Sequence, residues 1–316
     1  LSNTSTLTGN ISLNNSRIQG GIVLDNSKMT GGITLGGSSN IAGISLTNAS
    51  NMTGNITLAN TASIDNISIS GNNTTLAGGI SLSHTSNITG GINVQNGGTI
   101  TNNISAVGGA RIDSINITNG RVGGNISANW SSVGNGIGTI NQITITDGEV
   151  GGNIELANDN TMTNGMTLNN GTINGAINLN IGTADGSVAS IPTISLQNAS
   201  TIANITLGNS ATVTNSQGTV VSGRGYIDSL TLGGTSSIGS IVNNRGTIST
   251  LTLGGTSSIG TIANNSNGTI TNIALNGNSS IDSVDGTNID INAFSIANGA
   301  VVGHLITGDN NIQSLT

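Results

Sequence analysis

Met29-Thr30-Gly31-Gly32-Ile33-Thr34-Leu35 returns as Met52-Thr53-Gly54-Asn55-Ile56-Thr57-Leu58, as Leu76-Ala77-Gly78-Gly79-Ile80-Ser81-Leu82 and as Ile88-Thr89-Gly90-Gly91-Ile92-Asn93-Val94. The unit is an apolar anchor, a Gly/Asn-rich corner and an apolar-polar-apolar triplet. Near relatives with a corner one residue shorter stand between these copies, as in Ile41-Ala42-Gly43-Ile44-Ser45-Leu46, Ile64-Asp65-Asn66-Ile67-Ser68-Ile69 and Ile112-Asp113-Ser114-Ile115-Asn116-Ile117. Anchors at 18, 29, 41, 52, 64, 76, 88, 100 and 112 recur in steps of 11 or 12. Such self-similarity is the mark of a repeat architecture.

The triplet alternates with period two, so its first and third side chains face inward and its middle one faces water. Gly and Asn accept positive φ at low cost, which lets the chain turn sharply at the corner. A coil made of one unit would enclose too little space for three Ile-sized side chains, and the chain has no Cys to staple it. Two units per coil enclose a core. The C-terminal third repeats accordingly: Leu230-Thr231-Leu232-Gly233-Gly234-Thr235-Ser236-Ser237-Ile238-Gly239 reappears at 251–260, an offset of 21. The sequence therefore predicts an all-β, right-handed parallel β-helix (β-solenoid) with coils of about 21–24 residues, running as a single segment over 1–316. Roughly 13 to 15 coils are expected on that spacing. Stacking puts like on like, so Asn columns are expected to form amide ladders at the corners. Neither end carries a distinct cap, so the natural protein is expected to continue beyond both.

Composition narrows the function classes. Charged residues make up 6% and the net charge is −7, with only six Lys and Arg, so the basic surface that nucleic acids and anionic membranes attract is missing. No apolar run is long enough to insert into a bilayer. A 34% share of hydrophobic residues and a single Pro separate the chain from disordered sequences.

Catalytic groups do not gather in the sequence. Asp65, Asp113, Asp228 and Asp282 occupy the same slot after an anchor but are spread along the chain, as turn residues bonding their own corners would be. Asp282, Asp285 and Asp290 lie close together without a Lys or Arg, and the Gly-Gly-x-Gly-x-Asp calcium repeat is missing. His84 and His304 have no fixed relation to a nucleophile or carboxylate. The expectation is a non-enzyme with no catalytic residue, cofactor or metal site.

The rhythm breaks at about 129–139, 180–190, 214–226 and 285–293. These stretches are expected to form loops standing off the repeat. The first holds the only Trp, Trp130; the third holds Arg224 and the only Tyr, Tyr226; the only Phe, Phe294, follows the fourth. Trp130, Arg224 and Tyr226 are the candidate binding residues. For Trp130 two readings stand open: a protruding contact, or a plug folded over an interior gap.

Tandem Gly/Asn/Ser/Thr-rich units with Ile-Thr-Leu or Ile-Ser-Leu triplets, no Cys and few charges resemble the passenger region of bacterial type V autotransporters. The resemblance covers nearly the whole chain and is one of pattern and composition, without a diagnostic motif. It implies translocation through a C-terminal β-barrel, an extracellular or outer-membrane location, and a part in adhesion, aggregation or toxin delivery. The partners it implies are a host-cell or extracellular-matrix surface, or like molecules on neighbouring cells. The function expected is a rigid surface-displayed or secreted stalk. Two alternatives remain. A carbohydrate-active β-helix enzyme needs a clustered polar groove. An ice-binding solenoid needs uniform Thr columns, and the middle triplet residues Thr34, Ser45, Thr57, Ser68, Ser81, Asn93, Thr206, Thr231 and Thr252 are expected to stack into one outward column of mixed type.

Overall fold

Alternate half-units go to different sheets, and this is what closes each coil. A computed structural model describes residues 1–132, 136–180, 187–208, 213–214, 220–221, 223–266, 268–287, 289–297, 299–306 and 312–316. Among these there is no helix, and parallel strands stack as a β-solenoid of about 12 turns. The chain divides into two compact units, Leu1–Asn153 and Ile154–Thr316.

In the N-terminal unit, Ile33, Ile56 and Ile80 stack in register on one sheet. Ile44, Ile67 and Ile92 do the same on the other. Each inward position is an apolar column: Leu35, Leu58 and Leu82 are fully buried, as are Ile41, Ile64 and Ile88. Burying an Ile or Leu contributes at most about 1.5–3 kcal/mol by area, and the repeat supplies several per coil.

Positive φ falls mostly in the turns that follow the triplets, not in the corners between anchor and triplet where the sequence placed it. Asn15, Asn26, Asn48, Asn60, Asn73, Asn96 and Asn119 all have φ between 46° and 61°, the left-handed region that Asn tolerates best among non-glycine residues. Side-chain amides were expected to ladder with one another. Instead the corner amides mostly cap the next coil's backbone: Gly32 N–H donates to Asn10 Oδ1 at 2.8 Å, Gly79 N–H to Asn55 Oδ1 at 2.9 Å, and Asn125 N–H to Asn103 Oδ1 at 2.8 Å. A direct amide pair occurs on a strand face, where Asn116 Nδ2 donates to Asn93 Oδ1 at 3.1 Å. Backbone N–H groups left open where a strand ends make the stronger claim on a nearby acceptor.

A buried serine closes many turns. Ser39, Ser50 and Ser86 are fully buried, and their hydroxyls donate to the carbonyls of Gly36, Thr47 and Ser83 at 2.7, 2.6 and 2.8 Å. The same device recurs in the second unit at Ser200 and Ser236, on Gln197 and Gly233.

The C-terminal unit also has two sheets, with longer strands such as Arg224–Leu232, Thr247–Leu253 and Gly268–Leu275. Its last coils keep a strict spacing: the numbering of one inward column advances from Ile227 through Ile248, Ile270 and Ile291 to Ile312 in steps of 21 or 22. Not every coil does. The step is 28 from Ile112 to Ile140, 28 again from Met166 to Ile194, and 36 from Val188 to Arg224. Excursions thus take residues out of the ladder, which is why fewer than the expected 13 coils form.

Three expectations need correction. The break at 285–293 adds no length, because the step from Ile270 to Ile291 matches that of the neighbouring coils, and Phe294 is a core residue between Ile273 and Leu315. The outward triplet residues form two columns on two sheets, one through Ser12, Thr34, Thr57 and Ser81, the other through Val23, Ser45, Ser68 and Asn93. Asp282 lies on the other sheet from Asp228, since its strand, Ser280–Asp285, pairs within the sheet of Ser237–Asn244 and Ser258–Ser266. The chain changes sheet with every half-unit, so identical motifs in adjacent half-units never stack on one another.

Candidate functional site

Where a coil is longer than its neighbours, the surplus forms structure outside the parallel ladder. In the N-terminal unit, the strand Ile126–Ser131 runs on past Asn129, and Gly136–Ile137 pairs back on it antiparallel, Trp130 opposite Ile137 and Ser131 opposite Gly136. Small residues make this return possible. A Cβ on Gly136 would lie 3.1 Å from the backbone of Gly109 in the preceding coil. Gly138 N–H donates to Asn129 O at 2.9 Å and closes the hairpin. Trp130 is 48% exposed there, too open for a side chain sealing an interior gap. The tip at 133–135 lies outside the described residues, as do 181–186, 215–219, 222 and 288 of the other interruptions.

Arg224 and Tyr226 belong to the C-terminal unit and share one strand, Arg224–Leu232. Its alternation puts Arg224, Tyr226 and Asp228 outward, with Gly225 and Ile227 inward. Only glycine fits at 225, where a Cβ would meet Leu179 Cβ and Leu207 Cα at 2.9 Å. Asn180, fully buried, fixes the start of the strand by donating from Nδ2 to Arg224 O at 3.3 Å and to Ser187 Oγ at 2.9 Å. Tyr226 is 37% exposed; its hydroxyl bonds Ser249 Oγ at 2.8 Å and donates to Asp228 Oδ1 at 3.4 Å. The half-exposed Val188 stands beside Arg224 on the adjacent coil. Arg224 has no ion-pair partner among the described residues, which leaves one surface with a free guanidinium, an aromatic ring and an aliphatic side chain.

Among the described residues the acidic and imidazole groups are dispersed. Among the described residues no three His, Asp or Glu side chains come close enough to hold a metal ion. Arg111 pairs with Asp113 at 3.2 Å within a strand and Arg121 with Glu149 at 3.2 Å between adjacent coils, both on the exposed surface.

Two recesses open on the outer face of the N-terminal unit, and sequence reading did not single them out. The larger, of about 500 Å³, is lined by Asn15, Ser16, Arg17, Ser38, Asn40 and Asp65. The smaller, of about 290 Å³, is lined by Asn87, Ile88, Thr89, Arg111 and Asp113. The signal for both was the column of anchor-flanking residues, visible only once the coil length is known. No protein-family model, no curated protein and no solved structure matches the chain.

Proposed function

We propose that this chain is a rigid stalk of the autotransporter-passenger kind, displayed on a bacterial surface or secreted. It carries adhesive or self-associating contacts to a host-cell or matrix surface or to like molecules, and it performs no catalysis. The observation that supports this reading is a division of labour. Regular coils present small polar residues worth little individually, while Trp130 and the pair Arg224 and Tyr226 stand exposed beside the points where coils lengthen. Trp, Tyr and Arg are the side chains that most often dominate protein contacts.

The test is adhesion by the 316-residue chain coupled to beads, scored for bead clumping and for retention on matrix-coated surfaces. Trp130→Ala and the double variant Arg224→Ala/Tyr226→Ala are each expected to lower adhesion about tenfold or more with unchanged melting. Beads that neither clump nor adhere, or that adhere equally well with both variants, reject the proposal.

A further inference from the structure

Arg17, Asn40, Ser63, Asn87 and Arg111 form one register column on an outer sheet of the N-terminal unit. The larger recess lies over its first three coils. Its polar groups are only partly used. Asn15 Oδ1 accepts from Ser38 N–H at 3.0 Å and from its hydroxyl at 3.3 Å, which leaves the Asn15 amide hydrogens. Asn40 Nδ2 donates to Ser63 Oγ at 2.8 Å, which leaves the Asn40 oxygen. Neither the Arg17 guanidinium nor the Asp65 carboxylate has a side-chain partner among the described residues. Ser63, next to Asp65 but one, is two coils on from Arg17, a separation of roughly 9–10 Å at the usual strand spacing.

We propose that this recess binds a neutral polyhydroxylated ligand at least as long as a disaccharide, with Arg17 and Asn15 donating to its hydroxyls and Asp65 and Asn40 accepting from them. A hydroxyl both donates and accepts, so it suits a recess that offers both in alternation. An anion would face Asp65. A divalent cation would face Arg17 and find one carboxylate where several oxygens are needed. No aromatic ring lines the recess, so no stacking adds to the hydrogen bonds and binding is weak per site.

The smaller recess supplies the internal contrast. There Arg111 and Asp113 pair at 3.2 Å, and Asp113 Oδ1 also accepts from Asn141 Nδ2 at 2.9 Å. The same two residue types in the same columns satisfy each other, and a ligand would have to break that pair. Set two coils apart, they stay open; set on one strand with a single residue between them, they close.

Saturation-transfer NMR on the whole 316-residue chain with cellobiose, lactose and N,N′-diacetylchitobiose tests the proposal. At least one disaccharide is expected to bind, with Arg17→Ala and Asp65→Asn each weakening it about tenfold or more, as for hydrogen bonds to charged groups. Arg111→Ala and Trp130→Ala are expected to leave binding unchanged, so the outcome is independent of bead adhesion. Arg17 and Asp65 are on the surface, and unchanged melting of their variants separates lost binding from lost folding. The proposal is overturned if none of the three sugars binds, if binding survives both substitutions, or if glycine or inorganic phosphate binds as well as the sugars.

Discussion

Most coils of the N-terminal unit break each half-turn into two short strands, whereas the last coils of the C-terminal unit run each half-turn as one long strand. Asn51–Met52 and Ile56–Leu58 are separated by Thr53-Gly54-Asn55, but Ser237–Asn244 passes through Gly239-Ser240 without interruption. The difference lies in the corner. A three-residue corner with glycine in it leaves the ladder in most N-terminal coils, while Asn174-Gly175-Ala176 stays within Thr172–Leu179 as a shift of register. A two-residue corner whose second member is Ser or Thr stays in it as an outward kink, as at Asp113-Ser114 within Arg111–Thr118. Shortening alone is not enough, since Ala42-Gly43 still parts Asn40–Ile41 from Ile44–Thr47. Extended backbone accommodates Ser and Thr better than Gly, which gains nothing from the pleat and loses more freedom on ordering. A corner that is both short and compatible with a strand thus converts a sharp bend into continuous ladder.

Both corner types present the same inward column, and this sets the largest predicted effect. Leu58 and Leu253 are each fully buried, so Leu58→Asp and Leu253→Asp are expected to cost about 4 kcal/mol or more in urea unfolding, one in each unit. Thr57→Asp and Thr252→Asp, on outward positions, are expected to shift the midpoint little. A much milder loss for Leu58→Asp would mean that split-strand coils have slack that continuous ones lack.

Glycines give the next level of contrast. Gly54 sits in a three-residue corner, and a Cβ there would lie 2.4 Å from Gly32 N in the neighbouring coil, against backbone that cannot rotate away. Gly254 sits in the turn that follows the long strand Thr247–Leu253, and the nearest atom to its Cβ would be Leu232 O at 3.9 Å. Gly54→Ala is expected to cost about 1–3 kcal/mol by overpacking, and Gly254→Ala to be neutral. Equal melting temperatures for the two variants would show that the three-residue corner can widen.

The smallest effect concerns one turn of the C-terminal unit. The Thr287 hydroxyl and backbone N–H both donate to Asp285 Oδ1, the backbone bond at 3.0 Å, and hold its carboxyl below the ordinary 3.8. A depressed folded value contributes stability above the unfolded value and loses it as the pH falls through the folded one. Thr287→Val removes the larger contribution, so the variant is expected to melt slightly below the parent near neutral pH and to converge with it in acid below 3.8. A gap that stays constant down through that range would assign the difference to packing.

Much of this was legible in the residues because the repeat is local. Ile33-Thr34-Leu35 specifies which side chains go inside, Asn15 and its equivalents specify where the chain turns, and the offset of 21 between 230–239 and 251–260 specifies two half-units per coil. A period-two triplet and an Asn-rich turn are decided within a few residues, so sequence alone carries them, although it set the positive φ at the corner before the triplet and the structure sets most of it in the turn after. It also marked Trp130, Arg224 and Tyr226 as exceptions, because all three fall where the repeat is interrupted and two are the only residues of their kind. What sequence could not reach is whatever depends on which coil lies above which. That Phe294 fills an interior column and Trp130 does not, that Arg111 meets Asp113 while Arg17 and Asp65 line one recess without pairing, and that the outward residues make two columns are all consequences of stacking. Each excursion changes the number of residues between partners, and only the tertiary structure supplies that count.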